Sequence, residues 1–466
     1  MDSKTITALK KIVGAEYLHT EREELLCYSY DGTGREFIPE AVALPISTAE
    51  ISEIMQLASA TGFPVVVRGA GSGMTGGALP IAGGLVLGLS RMNKIIETDI
   101  ANQVMVVEPG VITGDIRNEA ACHNLYYPPD PASFKFCTIG GNVAECAGGP
   151  SAVKYGVTRD YVLGLEVVLP DGRIINTGVR TAKGVVGYDL TRLFIGSEGT
   201  LGVITKIILR LIAKPETKQT TLVLLDSMTH AAALVAKILA HHLPCTLEYM
   251  DRTAIGLVTD LFPTPLPENT EALLLIELDG EQECVQREAE KLHDFLKKTP
   301  HVLTVQTARD NDEAEKLWTA RRKLSPASFN LRPHKTSEDV VVPRDQIPEL
   351  VATAEQLATV NKIPIFTFGH AGDGNIHVNI MLDRDNPAEV KAAEIAKQAL
   401  FEKVIALGGT LSGEHGVGIT KAAYLTMELS PETMATMQSI KTLFDPENIL
   451  NPGKIFPPAT KQQENH

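Results

Sequence analysis

The sequence predicts an α+β protein of two or three domains, and three observations carry that prediction. A chain of 466 residues exceeds what one hydrophobic core ordinarily serves. Glycine and proline crowd the first half, where short β-branched runs alternate with turns. From about Lys214 glycine thins out, and long helical patterns appear with apolar strands between them.

Taken in order, MDSKTITALKKIVGAEYLHT reads as a short amphipathic helix with lysines inside it. It has neither the apolar core nor the cleavage site of a signal peptide, so a cytoplasmic protein is expected. TAEISEIMQLASA, residues 48–60, reads as a helix with Thr48 as N-cap and Glu50 and Glu53 in its first turns. The strand Pro64-Val65-Val66-Val67-Arg68 then runs into Gly69-Ala70-Gly71-Ser72-Gly73-Met74-Thr75-Gly76-Gly77.

That loop holds a literal GxGxxG, from Gly71 to Gly76. A Rossmann site needs a helix to begin inside the motif. Here Gly77, Pro80, Gly83 and Gly84 follow, then the strand Leu85 to Leu89, and no helix survives that composition. What remains is a run of backbone N–H groups able to cradle phosphates as an anion nest.

Further strands are expected at 104–108 and 161–169, with a helix from Thr113 to Cys122. A second glycine block covers Thr138 to Gly149, and a third, Phe194 to Gly202, leads into a strand reaching Leu211. Helices are predicted at 228–242, 281–298, 310–324, 346–361 and 386–407, with an apolar strand at 272–278. This pattern predicts a helix-covered antiparallel sheet. The last ten residues, from Pro457, read as disordered.

The chemistry concentrates in GHAGDGNIHVNIM, residues 369–381. It follows the apolar run IPIFTF, so His370 lies where a strand meets a glycine turn. From Ile376 the alternation is strict. Ile376, Val378, Ile380 and Leu382 point one way; His377, Asn379 and Met381 point the other. Two imidazoles around a turn, with polar residues confined to one strand face, point to a metal or substrate site.

Composition narrows the function. The formal net charge of −14 argues against wrapping nucleic acid or an anionic membrane. No apolar run reaches the roughly 18 residues of a membrane span. The six cysteines, at 27, 122, 137, 146, 245 and 284, include no CxxC pair, which excludes an iron–sulfur cluster or zinc finger of ordinary spacing. Electrons leaving one at a time therefore need a partner protein.

Six motifs occur in order: RGAGSGMTGGA (68–78), PPDPASFKFCTIGGN (128–142), KGVVGYDLTRLFIGSEGTLGVIT (183–205), GHAGDGNIHVN (369–379), SGEHGVG (412–418) and LNPGKIF (450–456). With them the chain resembles the FAD-linked 2-hydroxyacid dehydrogenases. These comprise glycolate oxidase FAD subunits, D-lactate dehydrogenases and D-2-hydroxyglutarate dehydrogenases, within the vanillyl-alcohol-oxidase flavoprotein superfamily. The likeness spans residues 20 to 456 and is strongest toward anaerobe lactate dehydrogenases that work with an electron-transfer flavoprotein.

The resemblance implies a two-subdomain FAD-binding domain (1–215, divided near 95–100), an α/β cap domain (216–410), and a C-terminal segment (411–466) returning to the FAD domain. Gly69, Ala70, Gly71, Ser72, Gly73, Met74 and Thr75 would hold the FAD pyrophosphate. Thr138, Gly140, Gly141, Asn142, Gly148, Gly149 and the Tyr155-Gly156 turn would line the flavin and its ribityl chain. Gly199 and Ile204 would meet the adenine side or the flavin edge, and Asp130, Ser133 and Asn451 complete the cofactor set. The first glycine loop has no His, so the FAD is expected to be non-covalent.

By the same likeness, His370, His377 and Glu414 would ligate one divalent ion, zinc or iron. His415 would be the general base. Arg321 would bind the substrate carboxylate, with the adjacent Arg322 left as an alternative. Ser325, Lys335 and Asn379 would also touch substrate. The implied reaction is oxidation of D-lactate or glycolate, with electrons passed to an electron-transfer flavoprotein or an iron–sulfur subunit. Two alternatives stand beside it: a D-2-hydroxyglutarate dehydrogenase, for which Lys335 supplies an extra cation, and a non-catalytic FAD subunit of a larger complex.

Overall fold

A computed structural model describes residues 1–457; the expectation of disorder beyond Pro457 falls outside the described residues, apart from Pro457 itself. The chain divides into two compact units. The first comprises residues 1–147, 157–214 and 414 onward; the second comprises 148–156 and 215–413.

Among the described residues the first unit contains two larger sheets and a two-stranded one, Leu125–Tyr126 with Ile212–Ala213. In one, the strands Leu18–His19, Ala41–Ala43, Leu85–Gly88 and Val65–Arg68 lie side by side. Val65–Arg68 and Ala41–Ala43 both run parallel to Leu85–Gly88. Helix Thr48–Thr61 carries the chain between the first two and buries Ile51, Ile54, Met55 and Ala58 against the sheet's core. The second sheet is antiparallel, in the order Ile95–Asp99, Val104–Val107, Val203–Arg210, Val162–Val168, Ile174–Gly178. No helix follows the first glycine loop, in keeping with its Pro and Gly content.

Two local readings are corrected. The N-cap of the Thr48–Thr61 helix is Ser47, whose hydroxyl accepts from the Glu50 amide. Thr48 instead turns its hydroxyl outward to donate to Glu166, 2.8 Å away. The Ile139–Glu145 stretch is a short helix inside the second glycine block, capped by Thr138. Two glycines masked its periodicity, while the Thr cap was the readable signal.

The second unit is built on a seven-stranded sheet in the order Val302–Thr307, Thr217–Leu225, Ala272–Gly280, Thr246–Asp251, Ile365–His370, Asn375–Leu382, His334–Val341. Every pairing is antiparallel. Helices Ile347–Asn361 and Pro387–Ala406 lie over strands from the His-bearing end of this sheet. On the other face, Leu317, Ala320 and Leu324 of helix Asn311–Ala327 share a core with Met250, Phe366, Phe368 and Met381. The Asn375–Leu382 strand is therefore buried on both faces, not on one.

The cap assignment makes a direct test. Ser47→Ala should destabilise the protein by about 1 kcal/mol, read as a lower urea midpoint, because the Glu50 amide loses its acceptor. If Thr48 were the cap, the same change would be nearly neutral.

Candidate functional site

Sheet register assembles the polar groups of the second unit. Asp339 pairs with His377, Ser337 with Asn379 and Lys335 with Met381 across one ladder. Phe368 pairs with His377 and His370 with Asn375 across the next. Paired residues in an antiparallel sheet share a face. His370, His377, Asn379, Asp339 and Lys335 therefore stand on one side, the side covered by helix Asn311–Ala327.

The His370 and His377 rings are 5.2 Å apart and nearly perpendicular. His377 also packs against the Phe368 ring at 5.4 Å. Glu248, wholly buried on the Thr246–Asp251 strand, faces His370 Nδ1 at 2.5 Å. Its second oxygen accepts from Arg321 Nε at 2.7 Å and lies 2.6 Å from Nη2. The Arg321 guanidinium sits 4.4 Å over the Phe368 ring. Burial pushes the Glu248 carboxyl up, but His370 and Arg321 outweigh it and hold the group below its ordinary value.

Arg322 turns the other way, toward Glu315 and Thr319 on its own helix, with its side chain about half exposed. Of the two arginines, only Arg321 belongs to the polar cluster. Lys335 and Ser325 meet directly, Nζ to Oγ at 2.6 Å. Burial pushes the Lys335 amine down to about 8. The buried Asn379 accepts from Ser337 at 3.0 Å and donates to the His377 carbonyl at 3.2 Å.

Asp339, with no exposed surface, takes the Asn375 amide at 2.5 Å and the backbone N–H of Gly413 at 2.9 Å. Gly413 closes this unit's share of the chain, and Glu414 is the next residue. Glu248 and Asp339 were missed by sequence reasoning. The available signal was an acid at an inward position of an apolar strand, as in Thr246-Leu247-Glu248-Tyr249-Met250.

His415 belongs to the first unit, against the first glycine loop. Its carbonyl accepts from the Thr75 hydroxyl at 3.0 Å, and Ile419 donates its amide to the Thr75 carbonyl at 2.8 Å. Glu198, in a left-handed conformation, takes the N–H groups of Val417 and Gly418 at 2.7 Å each. Between them only glycine fits at 416, since a Cβ there would lie 2.3 Å from Glu145 and 3.0 Å from Glu198. Burial first, and then the Glu198 charge, push the Glu145 carboxyl well above its ordinary value.

The loop itself suits a phosphate-bearing cofactor. Among the described residues, the N–H groups of Ala70 to Met74 donate to no protein acceptor. The neighbouring Arg68 is buried, and its Nη1 is likewise without a partner. A Cβ on Gly69 would strike the Thr138 hydroxyl at 2.2 Å, so loop and helix cap are in contact. Asn142 is held by the Thr113 hydroxyl at 2.7 Å, and Gly140 packs against Pro109. Asn451 ties Gly77 to the Glu198–Gly199 turn, donating to both the Gly77 and Glu198 carbonyls. Ile204 is buried in the Val203–Arg210 strand, while Ser133 caps the turn before Cys137 through its carbonyl. Gly148, Gly149, Tyr155 and Gly156 fall in the second unit, where the Tyr155 hydroxyl donates to Asp279 at 2.8 Å. Asp130 lies on the loop that follows Pro128 and Pro129.

The donor chemistry of the second unit fits a divalent ion. Two imidazoles share a face, and a buried carboxylate backs one of them.

The family matches define the class of protein: an FAD-binding domain joined to the C-terminal domain of an FAD-linked oxidase. The chain belongs to the FAD-linked oxidases and is an FAD-dependent oxidoreductase. Residues 214–455 match the family model "FAD linked oxidases, C-terminal domain" and residues 39–178 match "FAD binding domain". It is 47% identical to glycolate oxidase subunit GlcD of Bacillus subtilis, over 96% of each chain. It is 37% identical to a D-lactate dehydrogenase of Anaerostipes hadrus, over 90% of this chain and 89% of that one. Among solved structures, p-cresol methylhydroxylase superposes with a TM-score of 0.82 at 19% identity, over 97% of this chain and 96% of that one, and shares the fold.

Gly71 tests the loop. It has φ +68°, and a Cβ there would lie 2.1 Å from Arg68 Nη2. Gly71→Ala should weaken FAD binding at least about tenfold, ~1.4 kcal/mol, measured as flavin retained after dialysis.

Proposed function

We propose that the protein oxidises a D-2-hydroxy acid, D-lactate or glycolate, to the 2-oxo acid with non-covalent FAD. The observation that carries this reading is the group of polar side chains between one face of the second unit's sheet and the helix that covers it. There His370, His377, Arg321 and Lys335 supply metal-type ligands and two cations for a small anion. The relatives' names, glycolate oxidase subunit and D-lactate dehydrogenase, support the same substrate class.

In this reading, His370, His377 and Glu414 hold one divalent ion, zinc or iron. Bound there, such an ion would supply a Lewis acid for the substrate hydroxyl. His415 takes the hydroxyl proton, a task to which an imidazole is suited. FAD would supply the two-electron acceptor that the oxidation requires.

Arg321 and Lys335 bind the carboxylate. Glu248 occupies the Nε side of Arg321, so this arginine offers its remaining edge and not a full fork. Ser325 holds the Lys335 amine, and Asn379, already bonded to Ser337, fixes the floor beneath. One of the two cations is offset by Glu248, which favours a substrate with one carboxylate over one with two. The scattered cysteines leave no internal one-electron outlet, so a separate electron-transfer flavoprotein or iron–sulfur subunit receives the electrons. A cytoplasmic setting is part of the proposal. Among the described residues no helix is long and apolar enough to cross a membrane.

Anoxic mixing with D-lactate or glycolate should bleach the flavin, whereas L-lactate should not. Bleaching by D-2-hydroxyglutarate alone would overturn the monocarboxylate assignment, and bleaching by no 2-hydroxy acid would overturn the reaction. His415→Ala should slow flavin reduction by about 10²-fold or more while leaving FAD content intact.

Lys335 gives a pH test. Its amine is charged below about 8 and neutral above it. The second-order constant for flavin reduction should therefore fall as pH rises through about 8. Lys335→Met should be slow throughout and lack that limb. A variant retaining the parental alkaline limb would assign it to another group.

A further inference from the structure

Glu248 lies at the junction of two groups that the proposed reaction uses separately. The register that pairs Tyr249 with Gly369 brings Glu248 beside His370. One oxygen faces His370 Nδ1 at 2.5 Å, and the other receives Arg321 through Nε at 2.7 Å. The carboxylate has no exposed surface, so these two side chains are what compensate it.

A carboxylate only accepts hydrogen bonds, so the ring nitrogen facing it carries the hydrogen. That assigns His370 the Nδ1–H tautomer and puts the ring's lone pair on Nε2, the atom suited to a metal. The same contact stiffens the ring against rotation, since His370 ends its strand and a glycine turn follows. On the other side, Glu248 pins the Nε edge of Arg321 while Phe368 supports the guanidinium plane. Neither job needs Glu248 to touch metal or substrate.

We infer that Glu248 is a positioning residue that orients His370 toward the metal and Arg321 toward the substrate carboxylate, coupling the two. This rests on the proposed metal site at His370 and His377. Its distinctive consequence is that a residue outside the ligand set controls metal affinity.

The test uses the full-length, FAD-loaded protein. Zn²⁺ affinity is measured by chelator competition, and Co²⁺ absorption reports coordination, for the parent, Glu248→Ala, Glu248→Gln and His370→Ala. Glu248→Ala should bind Zn²⁺ about 10- to 100-fold more weakly, with FAD content unchanged. Glu248→Gln keeps the shape and an acceptor oxygen, so its loss should be smaller and its Co²⁺ spectrum shifted. Glu248→Gln also decides the matter if the Ala variant does not fold. Should both Glu248 variants bind Zn²⁺ as the parent does, while His370→Ala does not, the positioning role is wrong and the metal site stands. A parent that takes up neither ion overturns the metal site, and the positioning role with it.

Discussion

The second unit depends on one constraint: the antiparallel register that puts His370, His377, Glu248, Asp339 and Lys335 on one face of the sheet, opposite Arg321 of the covering helix. A slip of the Asn375–Leu382 strand by one residue would turn His377 and Asn379 into the helical layer on the opposite side. The apolar groups beside them, Phe366, Phe368, Met250 and Met381, fill the same layer and exclude water from it. In such surroundings an unpaired charge is costly. The polar groups accordingly satisfy one another: Glu248 with His370 and Arg321, Lys335 with Ser325, Asp339 with Asn375 and Gly413.

The first unit meets a different demand, that of holding a large anionic cofactor with backbone. Its loop keeps a run of N–H groups unengaged by protein, and glycine is needed where Gly71 meets Arg68 and Gly69 meets Thr138. The returning C-terminal residues are fastened by buried charge. Glu198 clamps the turn after His415, and Asn451 bonds the carbonyls of Gly77 and Glu198. A glycine-flanked turn needs such anchoring, because the turn alone leaves the backbone too free to hold a side chain in one direction.

Much of the fold was legible. Periodicity located the long helices to within a residue or three at most ends, and three of the five begin at a capping side chain, Ser227, Asp310 or Asn386. It failed where glycine broke the pattern, at Ile139–Glu145, and where two hydroxyls competed for one cap, at Ser47 and Thr48. For the site, the alternation around His377 exposed the shared face. The choice between Arg321 and Arg322 stayed open, since adjacent helical residues differ by only 100° and either face was plausible from composition.

What the sequence determined by itself was chemistry local to a few residues. The glycine loop without a following helix, the imidazoles around the 371–375 turn and the acid–imidazole pair at 414–415 are all set by neighbours in the chain. Tertiary structure decided which distant groups share a carboxylate. Glu248 reaches His370 across 122 residues and Arg321 across 73, and no local pattern encodes either contact. Strand pairing and helix packing create those partnerships, because only the folded sheet brings the three side chains within hydrogen-bond reach and removes the water that would otherwise serve each alone.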